Sequence, residues 1–323
     1  MWRLDPFSIG LLAAVGLAAV APIGGAPAEA LRVVTRVLIG AMFFLYGARL
    51  PRAAVVEALR QWRLHLVVLL GTYAIFPVLG LVVGLVAGAL VSPALATGIV
   101  FLSTLPSTVQ SSIAFTSIAH GNVAAAICSA SLSNLLGVAL TPLLTGLLLV
   151  GAGSGGFSLD AIEAIALQLL APFVLGQILQ PWLGAWVARR HGALGWSDRG
   201  AILLIVYAAF SDAVREGLWS AMPVVDLLLL VALDAALLAA ILLIMGALGR
   251  RFARADRIAI IFCGSKKSLA TGVPMANVLF SHGAVGTALL PLVVFHQMQL
   301  MVCAALARRW AREHDASVTR PAL

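Results

Sequence analysis

The chain has little charge. Only 11% of its 323 residues are Asp, Glu, Lys or Arg, whereas hydrophobic residues make up 62%. Soluble domains average about 25% charged residues, so this composition does not supply the polar surface that a soluble domain of this length needs. It therefore excludes a soluble enzyme or a soluble binding module and predicts a membrane protein.

Cysteine and lysine are also scarce. The three cysteines are far apart inside apolar runs and form no metal-binding pattern. The only two lysines are adjacent, Lys266 and Lys267, and the arginines lie in short turns between apolar runs. The net charge of +8 is therefore a signal of membrane topology and not of nucleic-acid binding. Because no phosphate loop, HExxH motif or nucleophile elbow occurs in a usable context, we expect no enzyme activity.

Apolar segments long enough to cross a bilayer, which takes about 20 residues, follow one another along the chain. Ten can be drawn: 7–22, 31–49, 65–88, 94–119, 122–149, 161–187, 199–213, 222–248, 256–280 and 284–307. With both termini in the cytoplasm, only Arg32, Arg36 and Arg215 among the arginines fall on the opposite side. This bias predicts a multi-pass protein of the inner (plasma) membrane with both ends inside the cell.

A single Gly/Ser-rich linker, GAGSGG at 151–156, divides these spans five and five. An odd number of spans in each half places the halves upside down relative to one another, which is a common plan of transporters. We therefore predict a first five-helix repeat over 1–150 and a second, inverted repeat over 157–310. A cytoplasmic tail over 311–323 follows the second repeat.

Polar residues interrupt the predicted fourth span halfway along. Pro106 removes a backbone donor and clashes with the preceding turn, so carbonyl groups near Ser103 lose their partners. In a bilayer such groups are tolerated only where protein or a water-filled cavity satisfies them. We expect that role, and the lining of a solute path, from Pro106, Ser107, Thr108, Gln110, Ser111 and Ser112. A simple proline kink, with the serines bonded back to the backbone, is the alternative.

The predicted ninth span carries a matching interruption about 160 residues later, as an inverted repeat requires. Its polar positions are Gly264, Ser265, Lys266, Lys267, Ser268 and Thr271. A cation at mid-membrane costs about 2.5 to 3.5 kcal/mol even on lenient insertion scales, so both lysines must face a polar interior unless they are snorkelling anchors. Because adjacent helical side chains point about 100° apart, at most one lysine addresses the solute, and we favour Lys266.

Polar residues at matching depth in the flanking spans extend this candidate site. They are Ser133, Asn134, His296 and Gln297. Each of them alone is more often a helix–helix contact than a ligand. Asp234 lies deep in the eighth span, where it could serve as a counter-ion for a lysine or as a proton carrier. A structural hydrogen bond is an equally good interpretation.

A family resemblance is carried by two stretches, FLSTLPSTVQSSIAFTSIAHGNVAAAICSASLSNLLGVALTPLL and FCGSKKSLATGVPMANVLF. They resemble the bile acid:sodium symporter family (solute carrier family ten), in particular a divergent branch with bacterial inner-membrane members. The resemblance implies a core domain, 65–149 and 222–307, and a panel domain, 7–49 and 161–213. It also implies that the fourth and ninth helices are unwound where they cross.

The same resemblance shows where this chain departs from its sodium-coupled relatives. Those relatives have a glutamate and a glutamine as cation ligands on the ninth helix, where this chain has Phe262 and Lys266. Their hydroxyl ligands on the fifth helix fall on Ala126 and Ala130. Because carbonyl groups alone rarely make a sodium cage in a membrane, we do not expect sodium at the usual family sites. A fixed ammonium group can take over the electrostatic role of that ion.

We therefore predict an all-α membrane protein that carries a small organic anion by alternating access, as a secondary transporter. The mid-membrane lysines replace part or all of the sodium site, and no metal or other cofactor is expected. The expected partners are the anionic solute and the lipid bilayer, without nucleic acid. Two alternatives stay open: a conventional sodium:bile-acid-type symporter, and a non-transporting membrane regulator or assembly protein on the same fold.

Overall fold

The computed structural model describes residues 6–49, 61–150, 166–217, 223–280 and 282–318, and these residues form helices and no strand. The helices are α1 (Pro6–Val20), α2 (Ala26–Arg49), α3 (Trp62–Leu90), α4 (Pro93–Thr104), α5 (Gln110–Ile118), α6 (Val123–Val150), α7 (Ala171–Arg189), α8 (His191–Arg215), α9 (Val224–Leu248), α10 (Arg254–Gly264), α11 (Leu269–Leu279) and α12 (His282–Val318). A π-helical turn lies inside α3 at Gly71–Ile75, and another precedes α7 at Ala166–Leu170.

Six of the described helices are long and apolar enough to cross a membrane: α3, α6, α7, α8, α9 and α12. Helices α1 and α4 are apolar but shorter, whereas α2 carries Glu29, Arg32 and Arg36 in its first half. The chain is thus a multi-pass membrane protein that is all-helical over the residues the structure describes. Ten spans in two inverted repeats stay a prediction, and the linker at 151–156 lies outside the described residues.

Several helices extend beyond the predicted spans. Helix α8 begins at His191 instead of 199, and α2 begins at Ala26 instead of 31. Helix α12 runs to Val318, so the first part of the predicted tail at 311–323 is helical. Hydropathy identifies only the part of a helix that lies in hydrocarbon, whereas backbone hydrogen bonding continues into water. The first residues of the predicted sixth span, 161–165, are not among those described.

Both predicted helix interruptions are present. Helix α4 ends at Thr104 and α5 begins at Gln110, while α10 ends at Gly264 and α11 begins at Leu269. Leu105 is extended, as a residue before proline prefers to be. These two segments, 105–109 and 265–268, are called the helix breaks below.

Two groups of helices can be distinguished by their packing. Helix α2 packs along α7, and α1 along α8, whereas α3, α4, α6, α9, α10 and α12 contact one another around the helix breaks. The division of the chain into a panel domain, 7–49 and 161–213, and a core domain, 65–149 and 222–307, stays a prediction. The groups meet where α8 contacts α12: a Cβ atom added to Gly286 would lie 2.5 Å from the Cβ of Ala213.

The close approach of α2 and α7 depends on two glycines. A Cβ atom on Gly47 would lie 2.1 Å from the carbonyl oxygen of Phe173, and one on Gly176 would lie 2.0 Å from that of Phe44. No real Cβ atom approaches a backbone oxygen so closely. The two helix backbones must therefore separate if either glycine gains a side chain.

We expect Gly47→Ala to destabilise the protein by about 1 to 3 kcal/mol, because overpacking forces the α2 and α7 backbones apart. Gly40→Ala is the matched control, since it lies on the same helix with no atom within 4 Å of the added Cβ. The control should melt at the parent temperature or slightly above it, because alanine favours helix over glycine. Thermal unfolding in detergent measures both effects, and equal melting temperatures for the two variants would contradict the packing argument.

Polar contacts join helix ends that the arginine bias assigns to the same side of the membrane, whereas the orientation of the termini stays a prediction. At the predicted cytoplasmic face, the side-chain amide of Asn122 donates to Asp256 at 2.7 Å, and Arg254 donates to the carbonyl oxygen of Trp310 at 2.9 Å. At the opposite end, Arg32 of α2 forms an ion pair with Asp212 of α8. Chain segments that the bias assigns to one side are thus in contact with each other.

Candidate functional site

The two helix breaks lie against each other. The backbone N–H of Ser268 donates to the carbonyl oxygen of Pro106 at 2.8 Å. In the other direction, the hydroxyl of Ser107 donates to the carbonyl oxygen of Cys263 at 2.6 Å, and that of Ser112 to Phe262 at 3.0 Å. Each break therefore satisfies backbone groups that the other leaves without an intrahelical partner.

Lys267 lies fully buried between the breaks and α3. Its Nζ donates to the carbonyl oxygens of Thr72 at 2.8 Å, Ser103 at 2.6 Å and Leu105 at 2.7 Å. An ammonium group has three N–H donors, so this arrangement uses all of them. Lys267 consequently holds the helix breaks in place and has no donor left for a solute.

Each of the three carbonyl groups belongs to backbone with disturbed helical bonding. Ser103 and Leu105 stand at the end of α4, ahead of Pro106, and Thr72 lies in the π-helical turn of α3. Pro106 predicts the free carbonyl groups near Ser103, whereas the role of Thr72 was not predicted. The Thr72–Tyr73 pair inside an otherwise apolar span was the available signal.

Lys266 points away from these carbonyl groups. Its Nζ is fully buried and has no hydrogen-bond partner among the described residues. The centroid of the Phe115 ring lies 4.2 Å from it and that of Phe262 lies 5.9 Å from it. Aromatic faces stabilise a cation by about 0.5 to 2 kcal/mol, less than the cost of its burial. The ammonium of Lys266 therefore has the capacity to bind an anion.

Helix α6 joins the two breaks through Asn134 and Ser133. The side-chain nitrogen of Asn134 donates to the carbonyl oxygen of Ser107 at 2.7 Å, and its oxygen accepts from the hydroxyl of Thr271 at 3.0 Å. Ser133 accepts from the backbone N–H of Ser107 at 3.0 Å. Two residues predicted on one helix thus contact both interruptions.

Helix α12 contributes Gln299 and His296. The side-chain amide of Gln299 accepts from the backbone N–H of Lys267 and donates to its carbonyl oxygen, both at 2.8 Å. His296 lies 2.9 Å from the same amide nitrogen. The predicted Gln297 is elsewhere on the helix surface, and its buried nitrogen has no partner among the described residues.

Other predicted residues bond locally or lie apart. Thr108 is within 2.9 Å of the hydroxyl groups of both Ser111 and Ser112. Ser265 bonds back to the carbonyl oxygen of Ile261 at 2.6 Å. Ser268 caps α11 by accepting from the backbone N–H of Thr271. Gly264 packs against Met245, whereas Gln110 is exposed at the start of α5.

Asp234 is fully buried in α9, and neither of its carboxyl oxygens has a hydrogen-bond partner in the described part of the chain. No ion pair joins it to either lysine. The counter-ion interpretation is therefore not realised in this structure. A role as proton carrier stays a prediction.

The four positions at which sodium-coupled relatives have ligands supply no side-chain oxygen here. The Phe262 ring packs against Phe115, with centroids 5.9 Å apart, and Lys266 presents its ammonium. Ala126 and Ala130 are buried methyl groups.

Comparison with known proteins identifies the family of the chain. The sequence model of the SBF-like CPA transporter family matches residues 5–312, almost the whole chain. The chain belongs to the SBF-like CPA transporter family. It is accordingly a membrane transporter, and the helix breaks lie within the matched region.

Curated relatives cover the full length as well. An uncharacterized protein of Pseudomonas aeruginosa, PA2026, is 53% identical over 96% of this chain and 94% of its own. YfeH of Escherichia coli, which is named as a predicted symporter, is 47% identical over 97% of this chain and 94% of its own. Sodium/bile acid cotransporter 7 of Rattus norvegicus is 27% identical over 99% of this chain and 97% of its own.

Proposed function

We propose that the chain is a secondary transporter of a small organic anion, and that its paired lysines take over part or all of the role of a sodium site. The observation that carries this proposal is the ammonium of Lys267 held by three backbone carbonyl groups where the two helix breaks meet. Three converging carbonyl oxygens are ligands that a hard cation prefers. Here a covalently attached cation occupies that position.

The charge around the breaks supports an anionic solute. Helices α5 and α11 both begin at the breaks, and a helix N-terminus carries a partial positive charge. The unpartnered ammonium of Lys266 adds a full charge. Among the described residues no carboxylate pairs with either lysine, so an anion from outside the protein is the missing partner.

Conventional sodium symport is the second candidate, and the name of the rat relative favours it, since that protein is called a sodium/bile acid cotransporter. Against it stand the four ligand positions without side-chain oxygen. A non-transporting regulator is the third candidate. It is disfavoured because a scaffold has no use for a buried, unpartnered ammonium that costs stability.

The two transport candidates predict different ion requirements. Solutes are first found by thermal stabilisation of the purified protein with a panel of organic anions that includes a bile acid, because a bound solute raises the melting temperature. Uptake of the stabilising anion is then measured in proteoliposomes with sodium chloride or choline chloride outside. We expect uptake to be the same in both salts. Uptake that requires sodium would establish the second candidate, and stabilisation by none of the anions would favour the third.

A proton gradient is the alternative driving force, and Asp234 is the residue we propose to carry the proton. If sodium-independent uptake responds to an imposed pH gradient, Asp234→Asn should remove that response while leaving exchange of the anion between the two sides. Asp226 is on the same helix and part-exposed at its start, so Asp226→Asn is the matched control. A pH response that survives in Asp234→Asn would exclude Asp234 as the carrier.

A further inference from the structure

A cavity of about 350 Å³ lies apart from the helix breaks, between the two groups of helices. Helices α2 and α8 form one wall and the end of α11 forms the other. Helix α11 begins at the breaks and places Asn277 about 12 Å away from them, at a rise of 1.5 Å per residue. By the arginine bias this end of α11 faces the cell exterior.

The wall formed by α2 is polar and basic. Arg32, Thr35, Arg36 and Ile39 line it, and their spacing of three, one and three residues places them on one helical face. Arg32 is bound to Asp212 through two hydrogen bonds, at 3.0 and 3.4 Å. Arg36, by contrast, makes no hydrogen bond or ion pair with any described residue.

The charges that line the cavity therefore leave one positive charge without a partner. Glu29 and Glu216 act electrostatically on Arg32, but neither of them lines the cavity. Guanidinium groups bind carboxylates through two parallel hydrogen bonds. Arg36 is the group in this cavity that is free to do so.

The rest of the lining suits an organic ligand. Gln168 and Asn277 bring side-chain amides, whereas Ile39, Val278 and Phe280 bring apolar surface. The volume is near the lower end of the range of about 300 to 1,000 Å³ seen for small-molecule sites. Such a space holds a compact molecule with one charged end and a short carbon skeleton.

We propose that this cavity is an outer binding site where a small organic carboxylate docks on Arg36 before it reaches the helix breaks. The inference rests on the proposed function, which it deepens by naming the carboxylate class and the residue of first contact. The ion pair of Arg32 with Asp212 keeps α2 and α8 together and leaves the second arginine to the solute.

Thiol labelling tests the site without a transport assay. Asn277→Cys introduces a reporter into the cavity wall, and the three native cysteines are buried. The full-length protein in liposomes is treated with anionic sulfonatoethyl methanethiosulfonate and with its cationic trimethylammonium analogue. One unit charge roughly 5 Å away in water changes the rate of a singly charged reagent about fourfold, and it acts in opposite directions on the two reagents. We therefore expect Arg36→Gln to lower the anionic-to-cationic rate ratio by a factor of about 16. Gln168→Cys serves as the reporter if the first variant does not fold.

Protection by carboxylates completes the test. Acetate, benzoate and succinate are added at millimolar concentration, and at least one of them should slow labelling in the Arg36 background but not in Arg36→Gln. Arg189→Gln removes an exposed arginine at the end of α7 that does not line the cavity, and it should change neither result. An unchanged rate ratio in Arg36→Gln, or protection that survives there, would overturn the inference.

A further variant separates this site from the helix breaks. Lys266→Gln should keep carboxylate protection at the reporter even when it abolishes uptake. Protection lost in Lys266→Gln would mean that the cavity is not a separate site. If the protein with both Lys266 and Arg36 intact shows protection but no uptake, that result would count against the proposed function alone.

Discussion

Lys267→Ala is expected to abolish uptake and to make the stability of the protein depend on sodium. Removal of the ammonium leaves three buried carbonyl groups without a partner, and each such group costs about 1 to 3 kcal/mol. The shorter side chain also opens space beside three oxygens that suit a hard cation. In choline chloride the variant should therefore melt far below the parent protein, and sodium chloride should restore part of the difference.

Lys267→Met provides the matched control for this result. Its side chain fills most of the same volume with apolar atoms, so it removes the charge without leaving room for an ion. It should be destabilised as strongly as Lys267→Ala but gain nothing from sodium. Thermal unfolding in the two salts measures all three proteins, and equal sodium stabilisation of parent, Ala and Met variants would show that the carbonyl groups are not a cation site.

Lys266→Gln should have the opposite effect on stability. Because the ammonium of Lys266 is buried without a hydrogen-bond partner among the described residues, its removal should leave the melting temperature unchanged or raise it. Uptake should nevertheless fall by a factor of about 30 or more, since loss of one partner of a buried charge pair costs about 2 to 5 kcal/mol. Uptake in proteoliposomes and melting in detergent measure the two effects on the same preparation.

Lys266→Arg keeps the charge and is the control for this pair of measurements. It should retain more uptake than Lys266→Gln, although the longer planar group must fit beside Phe115. The assignment of the solute-binding charge to Lys266 would be wrong if Lys266→Gln transported normally. It would also be wrong if this variant were destabilised as much as Lys267→Ala, because Lys266 would then be a structural residue.

Local signals in the sequence were sufficient to locate both helix breaks. Pro106 in the middle of an apolar span forces carbonyl groups to lose their partners wherever that span lies. Two lysines inside another apolar span likewise demand a polar interior. Neither argument needs knowledge of the neighbouring helices. The positions of both helix breaks could therefore be predicted from the sequence.

The different environments of the two lysines depend on contacts that are distant in sequence. Lys267 binds Thr72, which is 195 residues away, and Leu105, which is 162 residues away. Periodicity predicts only that neighbouring side chains point in different directions. Which direction meets three carbonyl groups and which meets the Phe115 ring is decided by tertiary packing. The outer cavity was missed for the same reason, because Arg36 and Asn277 come from helices far apart in the chain.

The contact between α8 and α12 has a mechanical consequence. Gly286 faces Ala213 and the backbone oxygen of Ala209, so small residues let the two helices approach closely at this point. Across the helix breaks, by contrast, Lys267, Asn134 and Ser107 tie neighbouring segments together with many short bonds. An interface of small residues beside a group of helices tied by hydrogen bonds favours sliding at the α8–α12 interface over bending within that group. The helices around the breaks would then move as a rigid body relative to α8, and a solute bound at the breaks would move with them.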